Sequence, residues 1–171
     1  MMATHLRVRP ATTPFREVLP MVTNRSAPTA AVVPVLVYED VEAAIAFLVR
    51  AFGCAERLRA HGPDGRVNHA QLRVGAGDII IGRQGGPYRT PQPDEATHIV
   101  HVTVAAVDQH WRRAQEGGAT ILEPPHDTPF GERQYTARDP AGHWWTFSQH
   151  IADVAPASWG ATEAPDRVGA V

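Results

Sequence analysis

The sequence predicts an α+β fold made of two tandem βαβββ modules, with the helices on the outer face. Residues 139–149 have the pattern of a turn followed by a strand, because Pro140 fixes φ, Gly142 is free to turn, and an aromatic and β-branched run follows. Residues 76–84, sixty-five positions earlier, repeat the order Ala-Gly, polar residue, three strand residues and a closing Gln. Gly53 and Gly118 end two helical stretches at the same spacing. One module is therefore used twice.

The first module begins with a strand over residues 31–38, where Pro34 indicates an edge position or a strand beginning. Glu39 and Asp40 place acidic residues at the start of a helix. The helix carries apolar side chains at helical spacing, namely Val41, Ala44, Ile45, Leu48 and Phe52. Strands follow over residues 55–60, 66–74 and 79–83, with a hairpin turn at 62–65.

The second module repeats this order after a linker over residues 85–97, whose prolines and glycines exclude a regular element. A strand over 97–104 and a helix over 107–116 precede strands over 119–123, 132–138 and 144–149, and residues 124–130 form a loop. Each helix must bury its apolar stripe, so each packs on one face of its own sheet. The opposite sheet faces are left to meet each other or a ligand.

These patterns divide the chain into five parts. They are a flexible N-terminal extension (1–30), module 1 (31–84), the linker (85–97), module 2 (98–151) and a C-terminal tail (152–171). Everything that resembles a domain follows Met21, and we therefore hypothesise that Met21 is the true start. Trp159 is the large apolar side chain of the tail, and we expect it to dock onto the body or onto a partner subunit.

Composition excludes several classes of protein. The net charge is −2 and there is no basic run, which argues against a nucleic-acid partner. No apolar run approaches the roughly 20 residues of a membrane span, and the N-terminus lacks the apolar region of a secretory signal, so we expect a cytoplasmic protein without a membrane partner. A single cysteine, Cys54, excludes an internal disulfide and a Cys-based zinc site.

Several segments resemble the vicinal oxygen chelate superfamily, which includes glyoxalase I, bleomycin-resistance proteins, extradiol dioxygenases and fosfomycin-resistance enzymes. They are the helix entry Tyr-Glu-Asp-Val-Glu-Ala-Ala-Ile-Ala-Phe, the helix end Ala-Phe-Gly-Cys, Pro-Phe-Gly-Glu-Arg, and Asp-Pro-Ala-Gly-His-Trp-Trp. The similarity spans roughly residues 32–150 and is strongest to the bacterial glyoxalase/bleomycin-resistance branch. The resemblance implies a curved mixed sheet around a cavity, and a homodimer.

The resemblance also implies where a divalent metal would bind, since the family's ligands come from the first and last strands of each module. Matching by strand, those positions are Val33, Ile81, Ile99 and Thr146. Aliphatic side chains offer a metal neither imidazole nitrogen nor carboxylate oxygen. A shift of one residue brings in His98, but such a shift reverses the face of a strand. We therefore predict no family-type metal site and no cofactor, and leave open a divalent metal at another site.

Alternation along the strands predicts one polar face, which either lines a pocket or is simply exposed to solvent. The candidate ligand-binding residues on it are His69, Gln71, His101, Thr103, Gln134, Thr136, Trp144 and Thr146. Trp144 is either a stacking surface or core filling, and His101 and His69 are either acid/base catalysts or structural histidines. Outside this face, His143 is expected to be exposed at a turn. Glu132 and Arg133 are expected to form either a surface ion pair or part of the pocket rim.

The function favoured by these observations is metal-free binding of a small aromatic or antibiotic-like molecule. The alternative is an enzyme of the same superfamily, of lyase, isomerase/epimerase or dioxygenase type, that uses a histidine or a metal at a non-standard site. A third possibility is an interaction module with a vestigial cavity. Whether the protein is an enzyme is left open, because the usual metal-ligand positions lack suitable residues.

Overall fold

The computed structural model describes residues 22–92 and 94–164. Met21 and the first twenty residues of the predicted extension lie outside these ranges, and so do Pro93 and residues 165–171. Within the described ranges, no helix is both long enough and apolar enough to span a membrane.

The predicted order βαβββ-βαβββ is confirmed. The first module consists of β1 (Val35–Tyr38), α1 (Val41–Phe52), β2 (Ala55–His61), β3 (Val67–Val74) and β4 (Gly77–Arg83). The second consists of β5 (Ile99–Thr103), α2 (Val107–Glu116), β6 (Thr120–Asp127), β7 (Glu132–Arg138) and β8 (Trp144–His150). The two four-stranded sheets have the orders β1-β4-β3-β2 and β5-β8-β7-β6. In each, the first strand pairs in parallel with the last, and the other pairs are antiparallel.

Two strand boundaries differ from the sequence prediction by four residues, and the others by two or fewer. β1 begins at Val35 and not at residue 31. Pro34 precedes the strand, and the Pro34 carbonyl oxygen accepts the first hydrogen bond from β4, donated by the Ile80 N–H. β6 continues to Asp127, through Pro124 and Pro125, where a loop was expected. β6 is an edge strand, so a proline without an N–H is tolerated on its free side, and the pairing register shifts there.

The helices begin and end as their sequences indicate. Asp40 caps α1, and its Oδ1 accepts a 3.0 Å hydrogen bond from the Ala43 N–H. Gly53 ends α1 with φ of 69°, a left-handed conformation that favours glycine. The apolar face of α1 and the narrower one of α2, with Val107 and Ala114, are buried against the sheets.

The two modules share one continuous hydrophobic core. α1 packs on α2 so closely that a Cβ on Gly117 would lie 2.5 Å from the Ala51 Cα. In the described residues no strand of one sheet pairs with a strand of the other. Side chains join the sheets instead, and Nε2 of His143 lies 2.8 Å from the Val37 carbonyl oxygen. Both sheets therefore keep one face against the helices and leave the other face uncovered by them.

The C-terminal tail returns to the body of the second module. A short 3₁₀ turn, Pro156–Trp159, places the Trp159 ring 5.6 Å from the Phe130 ring, between centroids. The expected docking of Trp159 thus occurs within this chain.

Candidate functional site

The predicted division of the strands into two faces is confirmed for the second module. Val100 and Val102 on β5 are buried in the core, as are Trp145 and Phe147 on β8. The residues between them point away from the helices, and we call this side of both sheets the polar face. Its members in the second module are Ile99, His101, Thr103, Gln134, Thr136, Arg138, Trp144, Thr146 and Ser148.

Trp144 lines a cleft of about 350 Å³ between the two modules, which we call the Trp144 cleft. One wall is Val35 and Val37 of β1, and the linker lies along the other. Its lining is completed by Arg89, Thr90, Pro91, Gln92, Glu95, Ala96, Thr97, His98, Gly142 and His143. Trp144 is only partly buried, so it is a wall of the cleft and not core filling like its neighbour Trp145.

The indole nitrogen of Trp144 has an unusual environment. Its Nε1 atom is shielded from solvent and has no hydrogen-bond partner in the described structure. A buried donor without an acceptor costs about 1–3 kcal/mol, and such groups are rare in folded proteins. This unpaired donor sets Trp144 apart from Trp145, whose Nε1 donates to Asp139 over 3.2 Å.

Arg138 stands directly beside Trp144, since the two are register partners on β7 and β8. Its Nη1 donates a 2.6 Å hydrogen bond to Oδ1 of Asp94 in the linker. Next along the same strands, the hydroxyl oxygens of Thr136 and Thr146 lie 3.3 Å apart, and both residues are buried. Gln134 follows Thr136 on this face and is partly buried.

His101 belongs to a polar cluster at the far end of the second sheet. Its Nε2 lies 2.8 Å from Oγ of Ser148 and 3.6 Å from Oε2 of Glu132. The other carboxylate oxygen of Glu132 lies 3.3 Å from Nδ1 of His150. Both Ser148 and Glu132 approach the same His101 nitrogen, so the group lacks the relay geometry of a nucleophilic triad, in which a carboxylate binds the other nitrogen. The His101 side chain is half exposed, which leaves it accessible to a ligand.

The expected Glu132–Arg133 ion pair is wrong. Arg133 instead donates to both oxygens of Asp108 over 2.9 Å and to Asp127 over 2.7 Å. These contacts lower the pKa of Asp108 and raise that of Arg133. Adjacent residues on a strand point to opposite faces, so Glu132 and Arg133 find partners on opposite sides of β7.

On the first sheet, the predicted ligand-binding residues His69 and Gln71 lie apart from the Trp144 cleft. Gln71 is buried, accepts a hydrogen bond from Arg57 and donates one of 2.9 Å to the Ser26 carbonyl. Arg57 also donates to the Arg25 carbonyl over 2.8 Å. Residues 25 and 26 belong to the extension expected to lack fixed structure, yet they cover this part of the polar face. Gln71 is therefore engaged by its own chain, while His69 is partly buried beside it.

The family-type metal positions do not offer a suitable set of donors. Thr146 and Ile99 lie on the polar face, and Val33 precedes β1. The assignment of Ile81 as the counterpart of Thr146 is wrong, because Ile81 is fully buried in the core. Register identifies Gly82 instead, since Val37 pairs with Gly82 as His101 pairs with Thr146. Neither Gly82 nor the aliphatic residues can ligate a metal.

Within residues 22–92 and 94–164, no three or more histidine, cysteine or acidic side chains are grouped so that they could hold a metal ion. His98 precedes β5 and faces the His143 ring, 6.1 Å away between centroids. Cys54 is buried in the core, and burial raises the pKa of its thiol to about 12, as is typical of an inert structural cysteine.

The prediction that His143 faces solvent is wrong. Its side chain is buried between the modules, with the Tyr38 ring 4.8 Å away between centroids. The turn that carries it contacts β1, which local sequence does not reveal.

A larger groove of about 620 Å³ lies on the helix side of the molecule, and the linker residues Thr90, Pro91 and Gln92 line both this groove and the Trp144 cleft. It is formed by the start of α1, linker residues and the turn before β8, including Ala43, Phe47, Arg50, Pro91 and Pro140. None of the predicted ligand-binding residues lines it.

Known proteins resemble this chain in sequence and in fold. Residues 30–147 match the family model of the Glyoxalase/Bleomycin resistance protein/Dioxygenase superfamily. The uncharacterized protein Mb0911c of Mycobacterium bovis is 35% identical over 127 residues, which cover 71% of this chain and 84% of that relative.

Two solved structures show the same fold. TioX from Micromonospora sp. ML1 is 37% identical with a TM-score of 0.60, and the match covers 71% of this chain and 99% of TioX. The fosfomycin resistance protein FosX from Mesorhizobium loti is 13% identical with a TM-score of 0.53, covering 71% and 92% of the two chains. The likeness to FosX shows the fold alone.

Proposed function

Since the chain belongs to the glyoxalase/bleomycin resistance protein/dioxygenase superfamily, we propose that it binds a small planar aromatic or antibiotic-like molecule in the Trp144 cleft, without a metal. The observation that carries this proposal is the partly exposed Trp144 indole, which forms one wall of a cleft between the modules. An indole face stacks well on planar or cationic groups.

The size and lining of the cleft support this function. Its volume of about 350 Å³ lies within the 300–1,000 Å³ typical of small-molecule sites. Val35, Val37 and Trp144 supply an apolar surface, while Thr97 and His98 add polar groups. Such a mixture of apolar area with a few polar groups gives both affinity and orientation.

The metal-free part of the proposal rests on donor chemistry. Three of the four family-type positions carry aliphatic side chains or glycine, and the fourth is Thr146, whose hydroxyl is a weak ligand. A ligand that stacks on Trp144 and forms hydrogen bonds can be bound there without a metal.

A thermal-shift screen of planar metabolites and antibiotics tests the proposal. A ligand at 100 times its Kd should stabilise the fold by about 2.7 kcal/mol, which raises the Tm by roughly 5–10 °C. Metal analysis of the purified protein accompanies the screen. About one equivalent of tightly held zinc, nickel, manganese or iron per chain would contradict metal-free binding, and no stabilising compound in a broad screen would contradict binding itself.

We also propose that the protein is a homodimer in which a second copy packs against the exposed edge strands β1 and β5 and leaves access to the Trp144 cleft. Val35 on β1 and Ile99 on β5 are 59% and 49% exposed, respectively, on sheet edges that the chain itself does not cover. A second copy is an occupant that would bury both. Light scattering coupled to size exclusion should give twice the monomer mass, and the charged substitution Ile99→Glu should yield monomers, whereas a wild-type monomer at all concentrations contradicts the proposal.

A second candidate function is supported by the cluster around His101. A half-exposed imidazole held by Ser148 and Glu132 is arranged as a general acid or base would be. This enzyme would convert a ligand bound on the polar face by moving a proton at His101 Nε2. Turnover of a bound compound by the wild-type protein, lost in His101→Gln and kept in His69→Gln, would favour the enzyme over the binding protein.

A further inference from the structure

Arg138 differs from the other arginine of β7 in how its charge is balanced. Arg133 is held by Asp108 and Asp127 through its Nε, Nη1 and Nη2 atoms, so two carboxylates use its guanidinium. Arg138 makes one contact, from Nη1 to Asp94, within the described structure. The Asp94 side chain is 86% exposed, so water competes for it and the pair contributes little to stability.

Asp94 is also held in an unusual conformation. Its φ is +61°, and within the described ranges Asp94 is the only residue other than glycine whose φ is positive. Asp tolerates this region better than most residues, at a modest cost in backbone energy. The Asp94 carboxylate is therefore a weakly held partner that a better one can displace by rotation of an exposed side chain.

The position of Arg138 relates it to the Trp144 cleft. Arg138 and Trp144 are opposite each other on neighbouring strands, so their side chains extend from the same face at close range. Asp94 precedes Glu95, which lines the cleft together with Arg89. The two lining charges have opposite signs. Arg138 does not itself line the cleft, but it places a cation beside the Trp144 indole.

We propose that the ligand of the Trp144 cleft is a planar aromatic carboxylate, whose ring stacks on Trp144 and whose carboxylate replaces that of Asp94 on Arg138. This inference rests on the proposed function and adds the chemical class of the ligand. A guanidinium offers a fork of donors that matches a carboxylate, and one end of that fork is free of Asp94. We therefore expect the acidic group of the ligand to occupy the position that the Asp94 carboxylate holds beside Arg138.

The test compares aromatic acids with their neutral amides on the same ring, using naphthalene, indole and quinoline pairs. Each compound is titrated by calorimetry against the wild-type protein, Arg138→Gln, Asp94→Asn and the control Arg133→Gln. We expect at least one acid to bind the wild-type protein about tenfold more tightly than its amide, since hydrogen bonds to a charged group are stronger than neutral ones.

The variants assign that preference to Arg138. Arg138→Gln should bring acid and amide to equal affinity, while Arg133→Gln should keep the preference. Asp94→Asn removes the competing carboxylate and should strengthen acid binding about threefold or more without changing amide binding. Circular dichroism and Tm confirm that each variant is folded.

Different failures contradict different claims. Acids and amides that bind equally to the wild-type protein, or an acid preference that survives in Arg138→Gln, would overturn the ligand class and leave the proposed function standing. Absence of binding by every member of the three pairs at concentrations up to about 1 mM, where the binding free energy is only about −4 kcal/mol, would contradict both the ligand class and the proposed cleft.

Discussion

The Tyr38 hydroxyl in the first module donates a 2.7 Å hydrogen bond to Oδ2 of Asp139 in the second, and both residues are buried. The same carboxylate accepts the Trp145 indole N–H over 3.2 Å and the backbone N–H groups of Ala141 and His143 over 3.0 Å. Burial raises the pKa of Tyr38 well above its usual value, and the nearby Asp139 charge adds to this. Asp139 thus fixes the turn before β8 and ties it to β1.

Removing the Tyr38 hydroxyl should weaken this tie. Tyr38→Phe is expected to lower the free energy of unfolding by about 1–2 kcal/mol, because a buried carboxylate loses a donor. Asp139→Ala should cost more, since it leaves the Tyr38 and Trp145 donors unpaired. Urea unfolding measures both, with the exposed Tyr88→Phe as the control. Equal effects of Tyr38→Phe and Tyr88→Phe would show that the bond contributes nothing.

His110 on α2 should make stability depend on pH. Its Nδ1 lies 2.7 Å from the Tyr135 hydroxyl oxygen and its Nε2 lies 3.1 Å from the Phe52 carbonyl, which suits a neutral ring that accepts at Nδ1 and donates at Nε2. Burial lowers the pKa of His110 below its ordinary value of 6.5, and Arg113 adds to the shift. The unfolded chain therefore binds a proton at a higher pH than the folded chain does.

Protonation at His110 favours the unfolded chain as the pH falls. The contribution of His110 is fully present above pH about 6.5 and is lost as the pH falls below that value. We expect the free energy of unfolding to decrease between about pH 7.5 and 5.5, and the decrease to be smaller in His110→Gln. Denaturant titrations over this range, with exposed His61→Gln as the reference, would disprove the role of His110 if both variants keep the wild-type slope.

Gly117 tests how the two helices meet. Its φ is −75°, so alanine is compatible with the backbone, but a Cβ there would lie 2.5 Å from both Cα and Cβ of Ala51. Gly117→Ala should therefore destabilise the fold by about 1–3 kcal/mol through overpacking between modules. Gly85→Ala, where a Cβ meets nothing within 4 Å, is the control. Similar melting temperatures for the two variants would contradict the close contact of α1 with α2.

The two adjacent tryptophans of β8 should separate binding from folding. Trp144→Ala is expected to abolish ligand binding with a modest loss of stability, because Trp144 is a partly exposed wall of the cleft. Trp145→Ala should cost about 3–5 kcal/mol of stability, because Trp145 is fully buried. Calorimetric titration and urea unfolding on both variants give the comparison. A large loss of stability with unchanged binding in Trp144→Ala would place Trp144 in the core.

The repeated segments and strand alternation predicted most of the fold, and the places where prediction failed share physical causes. Faces repeat every two residues along a strand, so an error of one residue reverses the face. Register matches Gly82 to Thr146, and the spacing of sixty-five, one residue too long for these strands, put the core residue Ile81 there instead. His143 was expected to be exposed because its turn is polar, but its contact with Val37 joins residues 106 positions apart. Such long-range contacts leave no local pattern.

The candidate site was predicted only in part for the same reason. Alternation located His101 and Trp144 on the polar face, because the order of apolar and polar residues within each strand shows which of its sides is buried. The partners of these residues lie elsewhere. Ser148 on β8 and Glu132 on β7 reach His101, and Asp94 reaches Arg138 from the linker. Their meeting depends on strand register and linker path, which a single sequence does not specify.

A crystal structure of the protein soaked with the tightest-binding compound from the screen decides whether the Trp144 cleft is the binding site. Binding in this cleft should give ligand density between Val35, Val37 and the Trp144 indole, with the ring of the ligand against the indole face. Density instead in the helix-side groove beside Phe47 and Arg50, with the Trp144 cleft unchanged, would contradict it.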